Sequence, residues 1–192
     1  MEKHHHFIIH KPYGYLSQFV NNQNKRKNKK LLGELSSFPE NTMAIGRLDE
    51  NSEGLLFLTT DGLVSELVRS KKVEKEYYVQ LDGDISFEAI EKLQTGVDIR
   101  LKTSMYRTMP CSVRKLNPAP VFKERSKKVR DERHGPTSWI SITLREGKFR
   151  QIRKMTASVG YPTLRLIRIR IGDIELNELE SGEVLEVDRF EI

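Results

Sequence analysis

The 192-residue sequence lacks the features that would place a protein outside the cell or in a membrane. It contains one cysteine, Cys111, so no disulfide can form within the chain and a reducing compartment is expected. No apolar run approaches the ~20 residues that a membrane-spanning helix needs. The first residues show no signal-peptide pattern. We therefore expect a cytoplasmic protein with no membrane partner.

Residues that commonly bind metals are also scarce. His4, His5 and His6 lie close to His10, but no downstream cluster of cysteines and histidines completes a structural or catalytic site. The sequence therefore predicts no metal site.

Charge is plentiful and unevenly distributed. The formal net charge is +6, yet residues 173–192 hold eight acidic side chains and one basic one. The positive excess therefore lies upstream, most densely in residues 21–30 and 123–130. A basic face indicates a polyanionic partner, with nucleic acid the leading candidate. The alternative for this face is a merely solubilising surface. Residues 21–30, which are expected to form an exposed loop, and the loop of residues 118–136 that carries the second basic run, are predicted to contact RNA phosphates. The alternative is a solvated loop for the first segment and disorder for the second.

The most informative stretch lies between two predicted strands. Residues 43–45 form a short apolar run, and residues 55–59 form a second one that ends at an Asp-Gly turn signal. Arg47, Asp49, Glu50 and Glu53 are therefore expected on the loop between these strands. A carboxylate beside an arginine on such a loop is held by a rigid scaffold and open to a ligand. Charges that are only solvated, or paired for structural reasons, are the alternative.

This stretch carries a resemblance to a known family. Gly46-Arg47-Leu48-Asp49, followed by Ser52, Gly54-Leu55-Leu56, Leu58-Thr59 and Asp61-Gly62, resembles the catalytic motif of pseudouridine synthases. It is most similar to the RsuA family, which is named after the type A enzymes that act on the small ribosomal subunit. The same family contains the type B, E and F enzymes of the large ribosomal subunit. The resemblance implies that Asp49 is the catalytic residue. Arg47 is placed to fill the space that a target base leaves when it turns out of the RNA stack.

Three further motifs match the same family. Lys75-x-Tyr77-x-Val79 resembles the motif whose tyrosine stacks on the target base, which implies that role for Tyr77. The segment from Glu146 to Met155 resembles the motif whose basic residue pairs with the catalytic aspartate, which is Arg153 here. The closing motif implies that Leu166 packs beside the aspartate. A guanidinium next to a carboxylate favours its ionised form, which the reaction requires.

Basic residues in and around these motifs are expected to bind RNA. Strand alternation places Leu166, Arg168 and Arg170 on one face, opposite three isoleucines. The alternative there is an edge strand whose charges deter aggregation. The turn Lys11-Pro12-Tyr13-Gly14 is also typical of the family. The expected RNA contacts are Arg47, Lys11, Lys148, Arg150, Arg168 and Arg170.

The order of elements predicts the α+β class with a mixed, largely antiparallel sheet. Helices are expected after Gly62, after the N-cap Ser86 with Phe87, Ile90 and Leu93 on its buried side, and from Arg150 to Gly160. The resemblance implies a pseudouridine synthase fold: one catalytic domain over residues 1–192, built of two subdomains that share a central sheet with a cleft between them.

The resemblance also implies a substrate. Only ten residues precede Lys11, so the N-terminal S4 RNA-binding domain of many relatives is expected to be absent. In this respect the chain is similar to the type E enzymes. We expect a monomer that isomerises one uridine in 23S rRNA, free or in an intermediate of ribosome assembly. The reaction changes no oxidation state, so no cofactor is expected. The alternatives are a non-catalytic RNA-binding or ribosome-assembly protein and a metal nuclease, which would need carboxylates clustered around Asp49.

Overall fold

The computed structural model describes residues 4–20, 28–70, 73–130 and 132–191. These residues form two compact units: residues 1–73 with 168–192, and residues 74–167. Residues 21–27, most of the basic segment expected between 21 and 30, lie outside the described part. In the described part, no helix has the length and apolar character needed to cross a membrane.

The first unit is built around a buried strand. β5 (Glu53–Thr59) is buried at every position. It pairs antiparallel with β1 (His6–Lys11) and with the short β4 (Met43–Ile45). β1 pairs in turn with β13 (Val184–Val187). β4 and β5 thus form a hairpin, and the loop predicted for Arg47, Asp49 and Glu50 spans residues 46–52. The prediction that Glu53 also lies on this loop is wrong, because Glu53 is the first residue of β5 and is buried.

Shorter elements complete this unit. β2 (Tyr15–Leu16) pairs parallel with β3 (Lys30–Leu31), which leads into a 3-10 turn at Leu32–Glu34. Helix α1 (Gly62–Ser70) follows β5. Its first turn is capped by the Asp61 carboxylate, which accepts a hydrogen bond from the Leu63 N–H at 2.8 Å.

The second unit is a sheet covered on one face by helices α2 (Phe87–Thr95) and α3 (Gln151–Ser158). β6 (Lys75–Asp82) pairs antiparallel with β10 (Thr137–Leu144), and β10 pairs with β9 (Ser112–Lys115). A further antiparallel pair is β7 (Asp98–Arg100) with β8 (Met105–Arg107). A 3-10 turn at Glu132–His134 closes the long loop before β10.

The core of the second unit lies between its sheet and helices. Val79 and Leu81 of β6 and Ile140 and Ile142 of β10 are almost fully buried there. The helices contribute Ile90, Leu93, Ile152 and Met155. Alternation along the strands directs every second residue into this core and leaves the others for the opposite face.

One strand belongs to both units. In β11 (Thr163–Ile171), residues 163–167 are part of the second unit and residues 168–171 part of the first, where they pair with β12 (Ile174–Glu175). With its separate α-helices and its long antiparallel pairings, the architecture confirms the predicted α+β class.

Candidate active site

Asp49 lies on the β4–β5 hairpin loop, where it is half-buried. The loop turns tightly after it, since the Ser52 N–H donates to the Asp49 carbonyl at 3.0 Å. Ser52 itself is buried, whereas Arg47 is exposed to solvent. The loop therefore carries an exposed arginine, Arg47, and two half-buried carboxylates, Asp49 and Glu50.

Two neighbouring segments anchor this loop within the first unit. The Ser17 hydroxyl donates to the Leu48 carbonyl at 2.7 Å and accepts from the Leu48 N–H at 2.9 Å. The Gly14 N–H donates to the Glu50 carbonyl at 2.8 Å. The residues on either side of Asp49 are thus fixed by main-chain contacts, which restricts the direction in which its carboxylate projects.

Lys11 lies beneath the loop and not on the surface. Its side chain is 0 % exposed, and its Nζ donates to the carbonyls of Pro12 at 2.9 Å and Tyr15 at 2.7 Å. Burial lowers the pKa of Lys11 to about 7, partly opposed by the nearby carboxylates, of which Glu53 has the largest influence. The RNA contact predicted for Lys11 does not fit this position. Its ammonium group tightens the Lys-Pro-Tyr-Gly turn that carries Gly14.

Arg168 also differs from its prediction. It is 4 % exposed, and its Nε donates to the Leu55 carbonyl in β5 at 2.7 Å. A guanidinium that reaches inward to a main-chain carbonyl does not present itself to RNA phosphates, so this expected contact is corrected as well. Arg170, two residues on, is half-buried and donates to the Gly172 carbonyl at 2.7 Å.

The basic segment before β3 contributes to the same loop. Lys29, which the sequence places in an exposed loop, has a side chain only 10 % exposed and forms an ion pair with the Glu50 carboxylate. The loop is therefore tied to three different parts of the first unit: the Lys11–Gly14 turn, Ser17 and Lys29.

In the second unit, Tyr77 and Leu166 meet at one hydrophobic core. Leu166 is a buried member of the cluster that contains Ile152 and Met155, and Tyr77 packs against the same cluster while half-buried. Tyr77 lies opposite Ile142 in the β6–β10 register. Helix α3, which supplies Ile152 and Met155, also carries Arg153, whose guanidinium donates to the Thr163 carbonyl at 3.5 Å. The structure thus brings Tyr77 and Leu166 together at one core and places Arg153 on the helix that packs there.

The turn that precedes α3 is locked by its own side chains. Gln151 is 3 % exposed; its amide nitrogen donates to a Glu146 carboxylate oxygen at 2.6 Å, and its amide oxygen accepts from the Lys148 N–H at 2.9 Å. Glu146 also accepts from the Tyr106 hydroxyl. These bonds explain why the motif pairs a glutamate with a glutamine, and they fix the backbone from which the basic residues project.

Two basic residues of this motif lie over aromatic rings. Arg150, the residue directly before α3, is in the left-handed conformation at φ 52° and is half-buried. The Lys154 ammonium lies 5.2 Å from the centroid of the Phe149 ring, which is 73 % exposed. Lys148 is exposed, with its ammonium 4.7 Å from the Tyr106 ring. Cations interleaved with aromatic rings are typical of surfaces that bind single-stranded nucleic acid.

Several anchoring residues were not found from the sequence. Ser17 has no signal of its own, because a serine after a short strand is common in any loop. Gln151 and Glu146 lie inside the matched motif, which could have identified them. In the described ranges, no group of three or more histidine, cysteine, aspartate or glutamate side chains is placed to hold a metal.

The chain belongs to the RNA pseudouridylate synthase family, which it matches over residues 5–158. It is 42% identical over 182 residues to the ribosomal large subunit pseudouridine synthase E of Vibrio parahaemolyticus, covering 94% of this chain and 72% of the relative. It is 40% identical over 174 residues to the enzyme of the same name from Xanthomonas axonopodis pv. citri, covering 90% and 88%.

The fold agrees with this family. A crystal structure of a pseudouridylate synthase superposes with a TM-score of 0.73 at 23% identity, covering 97% of this chain and 71% of the other. The protein is accordingly an isomerase that converts uridine in RNA to pseudouridine, as the sequence predicts. The alternative of a non-catalytic RNA-binding protein finds no support in these relationships.

Proposed function

We propose that this protein isomerises a specific uridine of the 23S rRNA, and that Asp49 is its catalytic residue. The proposal is carried by one observation: the family's aspartate motif falls on a hairpin loop whose main chain is fixed on both sides of Asp49. The proposed substrate is based on relatives that are about 40% identical to this chain and whose names refer to the large ribosomal subunit.

The chemistry explains which groups are needed. The N1–C1′ bond of uridine breaks, the base turns, and C5 bonds to C1′, with no net gain or loss of atoms. The base must first leave the RNA stack, at a cost of a few kcal/mol. Arg47, exposed on the rim of the loop, is proposed to occupy the vacated position. Asp49 must be ionised to react with the sugar, either as a nucleophile or as a base.

The second unit is proposed to receive the base and to keep the carboxylate ionised. Tyr77 would stack on the uracil ring, and Leu166 would form an apolar wall beside it. Arg153 is proposed as the cation that favours the ionised form of Asp49. An apolar site alone would favour the protonated carboxyl group, which cannot react.

RNA affinity is proposed to come from basic surface residues. Lys148 and Arg150 are the sequence neighbours of the exposed Phe149, and Arg170 lies near the end of β11. Such contacts add affinity that depends on salt and little on sequence. We further propose that the protein acts as a monomer, as one catalytic domain, in the cytoplasm where ribosomes are assembled.

The decisive experiment measures pseudouridine formation on a 23S rRNA transcript and on a 16S rRNA transcript of the same preparation. Wild-type protein is expected to modify one uridine of the 23S transcript, while Asp49→Asn folds, binds the transcript and forms no pseudouridine. Mapping in cells with and without the gene identifies the site. Modification of the 16S transcript alone would refute the substrate, and substantial turnover by Asp49→Asn would refute the mechanism.

A further inference from the structure

The long loop before β10 lines a half-open cavity of about 750 Å³ in the second unit, together with Gln80 of β6 and Arg165 of β11. The Phe122 ring of this loop packs against Tyr78, with centroids 6.2 Å apart, and against Trp139, at 5.7 Å. Tyr78 and Trp139 alternate along their strands with Val79 and Ile140, which face the helices. The cavity therefore lies on the sheet face opposite to the core that Tyr77 and Leu166 contact. It is not part of the site proposed above for the target base.

The walls of this cavity carry an excess of positive charge. Arg125, Lys128, Arg130 and Arg165 contribute four cations to the lining, and Glu124 contributes one carboxylate. His134 also lines the cavity. A volume of this order lies within the range of small-ligand pockets, and the charge selects an anion.

The loop that carries these cations is held in place by its arginines. Arg165 is 9 % exposed and donates to the Lys123 carbonyl at 3.0 Å, with its guanidinium 5.5 Å from the Phe122 ring centroid. Arg130 donates to the carbonyls of Gly135 at 3.1 Å and Pro136 at 3.2 Å, and it pairs with Asp82. The guanidinium groups are therefore positioned before any ligand arrives, which reduces the entropy cost of binding.

One donor in this wall has no acceptor. The Nε of Arg130 is buried and makes no hydrogen bond within the part of the chain that the structure describes. Buried donors are nearly always satisfied, so this orphan marks an incomplete polar network in the wall next to the cavity. The aromatic Phe122 and the side-chain amide of Gln80 also line the cavity. Cations, an amide and an aromatic ring together match the parts of a nucleotide.

We propose that this cavity binds a phosphate-bearing nucleotide, with Lys128, Arg125 and Arg165 receiving the phosphate and Phe122 contacting the base. A nucleotide of a single-stranded RNA segment and a free mononucleotide share this chemistry. We take the bound nucleotide to be part of the RNA substrate, and this choice of source rests on the proposed function. The site itself does not, since its ligand class follows from the lining of the cavity.

The sequence provides an optical probe at the wall. Trp139 is the only tryptophan of the chain and contacts Phe122, so its emission reports on occupancy of the cavity. Titration with inorganic pyrophosphate, with uridine monophosphate and with a short single-stranded oligoribonucleotide is expected to change this emission saturably. The two nucleotide probes should bind about tenfold more weakly to Phe122→Leu, because stacking is lost, while pyrophosphate affinity stays the same.

A charge reversal at a lining residue, compared with the same reversal at its neighbour, separates direct contact with the ligand from general electrostatic attraction to the protein. Lys128→Glu removes a cation of the lining, whereas Lys127→Glu makes the same change of net charge at an exposed side chain that does not line the cavity. Lys128→Glu is expected to weaken the binding of all three probes at least about fivefold more than Lys127→Glu does. It should also lower, by about one, the slope with which oligonucleotide affinity falls with salt concentration on a log–log plot. No saturable emission change, or equal losses in both variants, would overturn the proposal.

Turnover distinguishes the two sources. If the substrate RNA occupies the cavity, Lys128→Glu raises the KM for the rRNA transcript and leaves kcat unchanged. If a free nucleotide occupies it, KM is unchanged while the emission response to uridine monophosphate is lost. The emission titration needs no catalysis, so the two proposals can fail separately. Failure to modify 23S rRNA would refute the proposed function and leave this site unaffected. An unchanged Trp139 emission would refute this site and leave the proposed function unaffected.

Discussion

Ser17 holds both main-chain polar groups of Leu48, the residue directly before Asp49. Its hydroxyl donates to the Leu48 carbonyl at 2.7 Å and accepts from the Leu48 N–H at 2.9 Å, and both residues are buried. One small side chain therefore sets the course of the loop at the position where its direction matters most for the proposed reaction.

Ser17→Ala is expected to lower the free energy of unfolding by about 1–3 kcal/mol, because two buried polar groups lose their partner. It should also lower kcat by about ten- to a hundredfold, since a displaced carboxylate attacks poorly. Urea unfolding and single-turnover pseudouridine formation measure the two effects. Thr42→Val is the control, because its hydroxyl bonds only the Pro39 carbonyl, at 2.7 Å, among the residues that the structure describes. A loss of stability without any loss of kcat would show that the loop does not need this anchor.

Arg153→Ala is expected to impair the chemical step more than RNA binding, if Arg153 favours the ionised form of Asp49. We expect kcat to fall by about a hundredfold or more and the Kd for the rRNA transcript to rise less than about threefold. Lys154→Ala is the matched control, since it removes the neighbouring cation, which lies over the Phe149 ring. An Arg153→Ala variant with weaker binding and an unchanged kcat would identify Arg153 as a phosphate contact.

Local signals predicted most of the elements that position the site. The strands on either side of the Asp49 loop follow from two apolar runs and a turn. Helix α2 follows from its cap, where the Ser86 hydroxyl accepts from the Ala89 N–H at 3.3 Å. The prediction that Phe87 lies on the buried side of this helix is wrong: it is 69 % exposed, because the first position of the helix lies outside the core that Ile90 and Leu93 reach.

Burial of charge could not be predicted from the sequence. Lys11 and Arg168 lie in strands whose alternation allows either face to be solvated, and a cation is by default expected outside. Both point inward because main-chain carbonyls accept their hydrogen bonds: that of Tyr15, across a turn, for Lys11 and that of Leu55, distant in sequence, for Arg168. Such acceptors exist only in the folded chain, so no local pattern indicates them. The anchoring role of Ser17 is hidden from the sequence for the same reason.

Lys11 should make stability depend on pH in a defined window. Its pKa is about 7 in the folded protein against 10.5 for an ordinary lysine. Between these values the unfolded chain binds one more proton than the native one, so the contribution of Lys11 to stability rises with pH. Below about pH 7 both states are protonated, and the contribution is constant at its lowest value.

Lys11→Met tests this because methionine has a similar length and no charge. The stability of the wild type relative to Lys11→Met is expected to increase as the pH rises from about 7 toward 10, by up to about 1.4 kcal/mol per pH unit. Urea unfolding at a series of pH values measures it. Lys92→Met, at an exposed site on α2, controls for the titration of other groups. A difference that is flat over this range would mean that Lys11 keeps its charge when buried.

Gly54, near the start of β5, has no room for a side chain. Its φ is +107°, and a Cβ there would lie 2.6 Å from the Arg168 main-chain nitrogen and closer still to the Arg168 carbonyl oxygen. Backbone atoms of a buried strand cannot move aside as a flexible side chain can. An added methyl group must therefore separate β5 from Arg168, or shift the end of β5 and with it the loop that carries Asp49.

Gly54→Ala is accordingly expected to lower the free energy of unfolding by roughly 2–6 kcal/mol, from backbone strain and overpacking together. Gly62→Ala is the matched control: nothing lies within 4 Å of its added Cβ, and as the first residue of α1 it should leave stability unchanged or raise it by up to about 1 kcal/mol. If Gly54→Ala were as stable as Gly62→Ala, the close approach of β5 and Arg168 would be incorrect. If it were stable but inactive, the strain would have been relieved by moving the loop, which would show that Gly54 sets the position of the Asp49 carboxylate.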